Sequence, residues 1–240
     1  MMSLELPEAV LLDLDDTILV FDALAEEAWR TVSYRFEDRL GGATPAGLLK
    51  AIEDERLRYW GDPARHRRGR LDLDRAWEEV ARGGLSRVGI DDADLAQAIG
   101  SAYSAEREAA VHPVPGALET LRRLRDADVS TALVTNGSAT RQRGKLERFG
   151  LEAFFDYILI EGEFGAGKPD ESVFLHALEQ LDAAPGDAWM VGDRLDFDIE
   201  TPKRLGMRAV WIDVKGSGVP KETPVRPDRV IGSLPELLRA

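Results

Sequence analysis

The sequence predicts an α/β fold: a parallel sheet with helices on both faces, interrupted after its first strand by a helical insertion. Three observations carry this. Short apolar runs recur along the chain, most pairs of runs are separated by a stretch with a helical apolar stripe, and one long stretch, from about Phe21 to Val111, has helical patterns but no strand run. Strands alternating with helices imply βαβ units, whose crossovers make the sheet parallel.

The first run, Ala-Val-Leu-Leu-Asp-Leu at residues 9–14, is cut by one Asp and followed at once by Asp15 and Asp16, so it reads as a buried strand ending in acid. Val129 to Val134, Tyr157 to Ile160, Ala188 to Val191 and Ala209 to Ile212 repeat the pattern. Between them, Ala117 to Arg125 sets Leu118, Leu121 and Leu124 on one helix face, and Val173 to Leu181 does the same with Phe174, Leu178 and Leu181. In the insertion the helical patterns are Ala23 to Phe36, Pro45 to Tyr59, Leu73 to Val88 and Asp91 to Arg107, broken at Gly41-Gly42, Gly61-Asp62-Pro63 and Gly89. The expected organisation is a Rossmann-like core from residues 1–20 and 112–240 and a helical domain from 21–111. Gly216 to Pro227, rich in Gly and Pro, reads as a surface loop.

At roughly 150 residues per domain, 240 residues fit one core with an insertion. The balance of 44 acidic to 31 basic residues, a net charge of -13, argues against nucleic acid and against an anionic membrane surface as partners. With no cysteine, thiol catalysis, disulfides and Cys-ligated zinc are excluded. No apolar stretch approaches a membrane span, and Met1 to Pro7 has neither region of a signal peptide, so a cytoplasmic protein is expected. His66, His112 and His176 share no metal-ligand spacing.

In open parallel sheets ligands bind beyond the carboxyl ends of the strands, so the polar residues that follow the runs are the candidate site. They are Asp13-Leu14-Asp15-Asp16-Thr17, then Thr135-Asn136-Gly137, then Gly167-Lys168-Pro169, then Gly192-Asp193 with Asp196 and Asp198. Carboxylates crowded together repel, which makes sense around a hard divalent cation, and Mg²⁺ held by carboxylates, water and a phosphate fits best. Lys168 and Thr135 supply the kind of donors that stabilise a transferring phosphoryl group. In an extended strand residues i and i+2 point the same way, so Asp13 and Asp15 are expected to address one substrate.

These residues, in this order, resemble the haloacid dehalogenase (HAD) superfamily from about Leu11 to Asp213. Asp13-Leu14-Asp15-Asp16-Thr17 matches its Asp-x-Asp-x-Thr motif, Thr135 its second motif, Lys168-Pro169 its third, and Gly192 to Asp198 its acidic fourth. The insertion at 21–111 resembles the type 1 cap of that family. The resemblance implies a phosphomonoesterase acting on a small phosphorylated metabolite, a sugar phosphate or nucleoside monophosphate. Asp13 would attack phosphorus to give an aspartyl phosphate. Asp15 would act as general acid and then base. Asp13, the main-chain carbonyl of Asp15 and Asp193 would hold Mg²⁺. Thr135, Lys168 and amides near Asn136 would bind the phosphate, and Asp198 would orient Lys168 or a water on the metal. A mobile cap would exclude water during the chemistry.

Dehalogenases of the superfamily generally lack an acid two positions after the nucleophile, whereas Asp15 stands there. Phosphonate-cleaving members depend on a cap lysine, and Lys50 alone stands in this insertion. A 2-haloacid dehalogenase, a phosphomutase and, from another class, a catalytically silent binding protein are the alternatives; the oligomeric state is not specified by the sequence. Pro202 departs from the family pattern, and the helix there is expected to start near Thr201. Gly162 to Pro169 nearly spells a phosphate-binding loop but ends in Pro where Ser or Thr must reach Mg²⁺. Asp196 reads as a cap or solvated group. Arg65-His66-Arg67-Arg68-Gly69-Arg70 is a basic cluster read as an inter-helix loop, either paired with nearby acids or attracting an anionic substrate.

Overall fold

The computed structural model describes residues 6–239, so Met1 to Glu5, on which part of the reading of the chain start rests, and Ala240 lie outside it. The chain forms two compact units, one from the chain through Val20 together with the chain from His112 onward, the other from Phe21–Val111.

In chain order the elements are β1 Ala9–Leu12 and β2 Leu19–Val20; then α1 Ala25–Arg35, α2 Pro45–Trp60, α3 Pro63–Leu71, α4 Leu73–Arg87 and α5 Ala93–Ala110. The chain then continues through β3 His112–Pro113, α6 Ala117–Asp126, β4 Ser130–Thr135, α7 Ala139–Phe149, β5 Tyr157–Ile160, α8 Glu161–Phe164 and α9 Glu171–Gln180. It ends with β6 Ala188–Gly192, α10 Glu200–Arg204, β7 Arg208–Ile212 and β8 Arg229–Ile231. No helix among the described residues is long and apolar enough to cross a membrane.

The first unit holds a six-stranded sheet in the order β5-β4-β1-β6-β7-β8, every neighbouring pair parallel, which is the fold class the sequence predicts. β1 sits in the middle, with Ala9 opposite Ser130 on one side and Ala188 on the other. All four of its residues are buried, as expected of a parallel strand covered on both faces. Ala9 and Leu11 pack with Val134, Met190 and, from α9, Phe174 and Leu178; Val10 and Leu12 alternate to the opposite face. Two short features carry too little periodicity to be read from sequence: the separate two-residue antiparallel pair β2–β3 and the three-residue edge strand β8 of the large sheet.

The second unit is all helix. Its core is built from Trp29 on α1, Ile52 and Tyr59 on α2, Trp77 and Val80 on α4, and Ile99 and Tyr103 on α5. The basic segment read as a loop is in fact α3. Asp62 caps it by accepting from the Arg65 amide at 2.9 Å, and Pro63 stands at its first position, a start signal that the arginines obscured. The helix carrying Pro202 also differs. A wide π turn over Leu195–Ile199 runs directly into α10, so Pro202 does fall in the first turn of α10, but helical backbone begins before Asp198 rather than near Thr201.

Candidate active site

From β1 the chain builds outward through β4 and β5 on one side and later through β6, β7 and β8 on the other. The order therefore reverses around β1, and the carboxyl ends of β1, β4 and β6 border the crevice where such sheets bind ligands. Asp13 follows β1 directly, its amide continuing the pairing by donating to Val191 O at 3.0 Å; Thr135 ends β4; Asp193 follows the last residue of β6.

Lys168 Nζ donates to Asp13 Oδ1 and to Asp198 Oδ1, each at 2.6 Å, with all three side chains buried. The lysine is placed through its backbone: Asn136 Oδ1 accepts from the Lys168 amide at 2.7 Å and Asn136 Nδ2 donates to the Lys168 carbonyl at 2.8 Å. The Asn136 side chain is thus committed to the Lys168 loop, and the Gly137 amide to Glu161 Oε2 at 3.0 Å. Asp198 is pinned on its other oxygen by the Arg194 amide at 2.9 Å. It lies so close over Gly192 that a β-carbon there would collide with its carboxyl group, which is why this strand ends in glycine. Burial pulls the Lys168 ammonium down, but Asp13 and Asp198 outweigh it and hold its pKa above the ordinary range.

Asp13, Asp193 and Asp198 each offer a carboxylate oxygen within 4.8 Å of the others. Burial, then the neighbouring carboxylates, push Asp193 up to about 9. Burial also pushes Asp13 up to about 7, against the pull of Lys168. With all three ionised, the carboxylates would face one ammonium, a shortfall of two positive charges. Asp198 is occupied by Lys168 and Arg194, which leaves Asp13 and Asp193 as oxygen donors, and such a set fits a divalent cation such as Mg²⁺. The Asp193 backbone is itself anchored, its carbonyl accepting from Trp211 Nε1 at 2.8 Å.

Asp15 does not join this cluster. Asp15 stands past the end of β1 at Leu12, just before the chain turns at Asp16 with a φ of 58°, and through space it still helps to raise the Asp13 carboxyl group. The Asp15 carboxyl group meets Lys145 Nζ at 2.7 and 2.8 Å and Gln142 Nε2 at 3.2 Å. Gln142 Nε2 also lies 2.6 Å from Thr135 Oγ1 and 3.0 Å from Asn136 O. Sequence reasoning missed Gln142 and Lys145. Their signal was present: on α7 the inward positions 142, 145 and 146 are spaced as a helical core stripe, yet two of the three are polar. Asp196 is exposed and pairs with Arg194 at 2.9 Å.

A family model described as haloacid dehalogenase-like hydrolase matches residues 7–206. The chain belongs to this family. As a haloacid dehalogenase-like hydrolase it is 34% identical over 215 residues to a glyceraldehyde 3-phosphate phosphatase of Methanopyrus kandleri, covering 85% of this chain and 83% of that one. It is also 34% identical over 251 residues to a phosphoserine phosphatase of Thermus thermophilus, covering 96% and 98%. Among solved structures, the magnesium-bound YfnB of Bacillus subtilis shares its fold, with a TM-score of 0.72 at 22% identity over 97% of each chain.

Proposed function

We propose that this hydrolase is a Mg²⁺-dependent phosphomonoesterase of small phosphorylated metabolites, working through an aspartyl phosphate on Asp13. One observation carries the reading: two carboxyl groups two residues apart have separate cationic partners, Asp13 with Lys168 and Asp15 with Lys145. Separate surroundings are how two like acids acquire two roles. Asp13 is the nucleophile, attacking phosphorus while Lys168 balances charge beside it. Asp15 gives a proton to the departing alkoxide, then takes one from the water that cleaves the aspartyl phosphate. Thr135, Lys168 and the Asn136 amide bind phosphate oxygens, and Asp198 keeps Lys168 in place. Asp13, Asp193 and the Asp15 carbonyl would hold Mg²⁺, which would supply positive charge and polarise the phosphoryl group.

The names of the relatives, a glyceraldehyde 3-phosphate phosphatase and a phosphoserine phosphatase, support a small phosphate ester as substrate. The helical unit Phe21–Val111 is assigned to choosing among such esters. A panel of sugar phosphates, phosphoserine, nucleoside monophosphates and 2-chloropropionate, assayed with Mg²⁺ and with EDTA on wild type and Asp13→Asn, tests the proposal. Phosphate release that needs both Mg²⁺ and Asp13 is expected. Metal-independent halide release without phosphate release would overturn it.

A further inference from the structure

Lys145 is as deeply buried as Lys168, each 2% exposed, yet takes no part in the two steps just described. A buried ammonium is costly unless paired, and both oxygens of Asp15 lie within 2.8 Å of its Nζ. Gln142, equally buried, adds a contact from Nε2 to Asp15 Oδ2 at 3.2 Å. The two side chains leave α7 three residues apart, hence from one face, so a single helix fixes both.

Asp15 stands on a turn beyond β1, and its carboxyl group can swing about two side-chain bonds. General acid catalysis requires its proton within about 2.6–3.2 Å of the departing oxygen. We propose that Lys145 and Gln142 are positioning residues that hold the Asp15 carboxyl group in the orientation from which it exchanges protons with the leaving oxygen and with water. The assignment rests on the phosphatase reading. Oδ2 receives both Lys145 and Gln142 while Oδ1 receives Lys145 alone, so Oδ1 is the oxygen with room for the proton. In the first step that proton passes from Oδ1 to the alkoxide oxygen as the ester P–O bond breaks and the bond from Asp13 to phosphorus forms. In the second it passes from water to Oδ1 as the water oxygen bonds to phosphorus and the Asp13 carboxylate departs. Because Gln142 also touches Thr135 Oγ1, α7 ties the proton-transfer side of the site to the phosphate side.

The test compares kcat/KM on two esters: the best alkyl phosphate of the panel, whose alkoxide needs a proton to leave, and p-nitrophenyl phosphate, whose leaving group does not. This ratio covers steps only through departure of the alcohol, so the shared hydrolysis step drops out. Lys145→Met is expected to lower the alkyl value by about 10²-fold, and the aryl value at least ten times less. Lys145→Arg should recover much of the alkyl loss. Gln142→Leu, which keeps the ammonium in place, should skew the esters the same way to a smaller degree, so the idea stays open to refutation if Lys145→Met folds poorly. Asp15→Asn combined with Lys145→Met should be no worse than Asp15→Asn alone. Equal losses on both esters, or losses that multiply in the double variant, would sink the positioning role alone. A wild type silent on every ester would sink the phosphatase reading and this one with it.

Discussion

Lys168 with Asp13 and Asp198 in the sheet unit, and Trp29 with Tyr103 and Trp77 in the helical unit, are both almost wholly shielded from water, and they are held together by opposite physics. Trp29 and Tyr103 stack with ring centroids 3.7 Å apart and planes 10° from parallel, with Trp77 edge-on to each, so this cluster gains from apolar burial and ring packing. Gly100 allows α5 to approach α4 there, since a β-carbon would come within 2.8 Å of Glu78 N. The lysine cluster gains attraction from two contacts of 2.6 Å but bears the desolvation of every charge in it, and it retains an excess of carboxylate. The comparison teaches that one cluster stabilises the chain by itself, while the other keeps more carboxyl groups than ammonium groups and so fits a cation.

Two substitutions would separate these cases most clearly. Trp29→Ala should cost about 3–5 kcal/mol through the cavity it leaves, and Lys168→Met should cost a similar amount, about 3–5 kcal/mol, by leaving buried carboxylates unpaired. Thermal melts across pH tell them apart. The Lys168→Met loss should shrink as pH falls and the acids protonate, while the Trp29→Ala loss should stay constant. Parallel behaviour would break the comparison.

Metal addition is the next largest effect. Burial and the neighbouring carboxylates push Asp13 up to about 7 and Asp193 up to about 9, above their ordinary value. The folded state therefore binds protons more tightly than the unfolded chain. The stability these groups contribute is full below roughly pH 4 and is lost as pH rises through those two values. Mg²⁺ competes with the same protons, so it should raise Tm more at about pH 8.5 than at about pH 6. At a hundredfold excess over Kd the gain is about 2.7 kcal/mol. A shift independent of pH would remove these two carboxyls from the metal site.

Gly192→Ala sharpens the contrast more gently. Its β-carbon would push into the Asp198 carboxyl group, at a cost of about 1–3 kcal/mol, and phosphate-ester turnover should fall with the displaced Lys168. The smallest effect is expected from Arg65, Arg67 and Arg68 changed together to Ala. These arginines lie on the surface of α3, where Arg65 faces the Tyr59 ring at 5.8 Å and Arg68 meets Glu79 at 3.8 Å. Loss of stability should stay under about 1 kcal/mol. A rise in KM for the ester in the same variant would give the basic helix a part in substrate recognition.

What could be read from sequence tracks how strongly each part is written in local pattern. The central strands are buried on both faces and so appear as unbroken apolar runs; Ala188–Gly192, wholly buried, is one of them. β8 has three residues, one of them exposed, and offers no such run. Asp13 and Asp193 stand out because charges that follow apolar runs are conspicuous, and Lys168 because it sits in the loop after β5 with Gly167 and Pro169 on either side. Lys145 and Gln142 do not, because a polar residue on a helix reads as solvated until tertiary packing turns it inward. The basic helix was missed for a related reason: its charges suggested a loop, although Asp62-Pro63 marks a helix start.

The short β2–β3 pair sets Val20 directly across from His112. The chain thus departs into the helical unit and returns from it at neighbouring points of one ladder. Whatever lies between those points, ninety residues or a few, closes a loop whose ends are already joined. The helical segment could therefore be lengthened, shortened or exchanged between relatives at a loop-closure cost that grows only logarithmically with its length, without shifting the register of β1 or moving Asp13. In a chain wired in this way the helical unit can be exchanged without rebuilding the sheet, and Val20 and His112 are the junctions at which to graft a replacement.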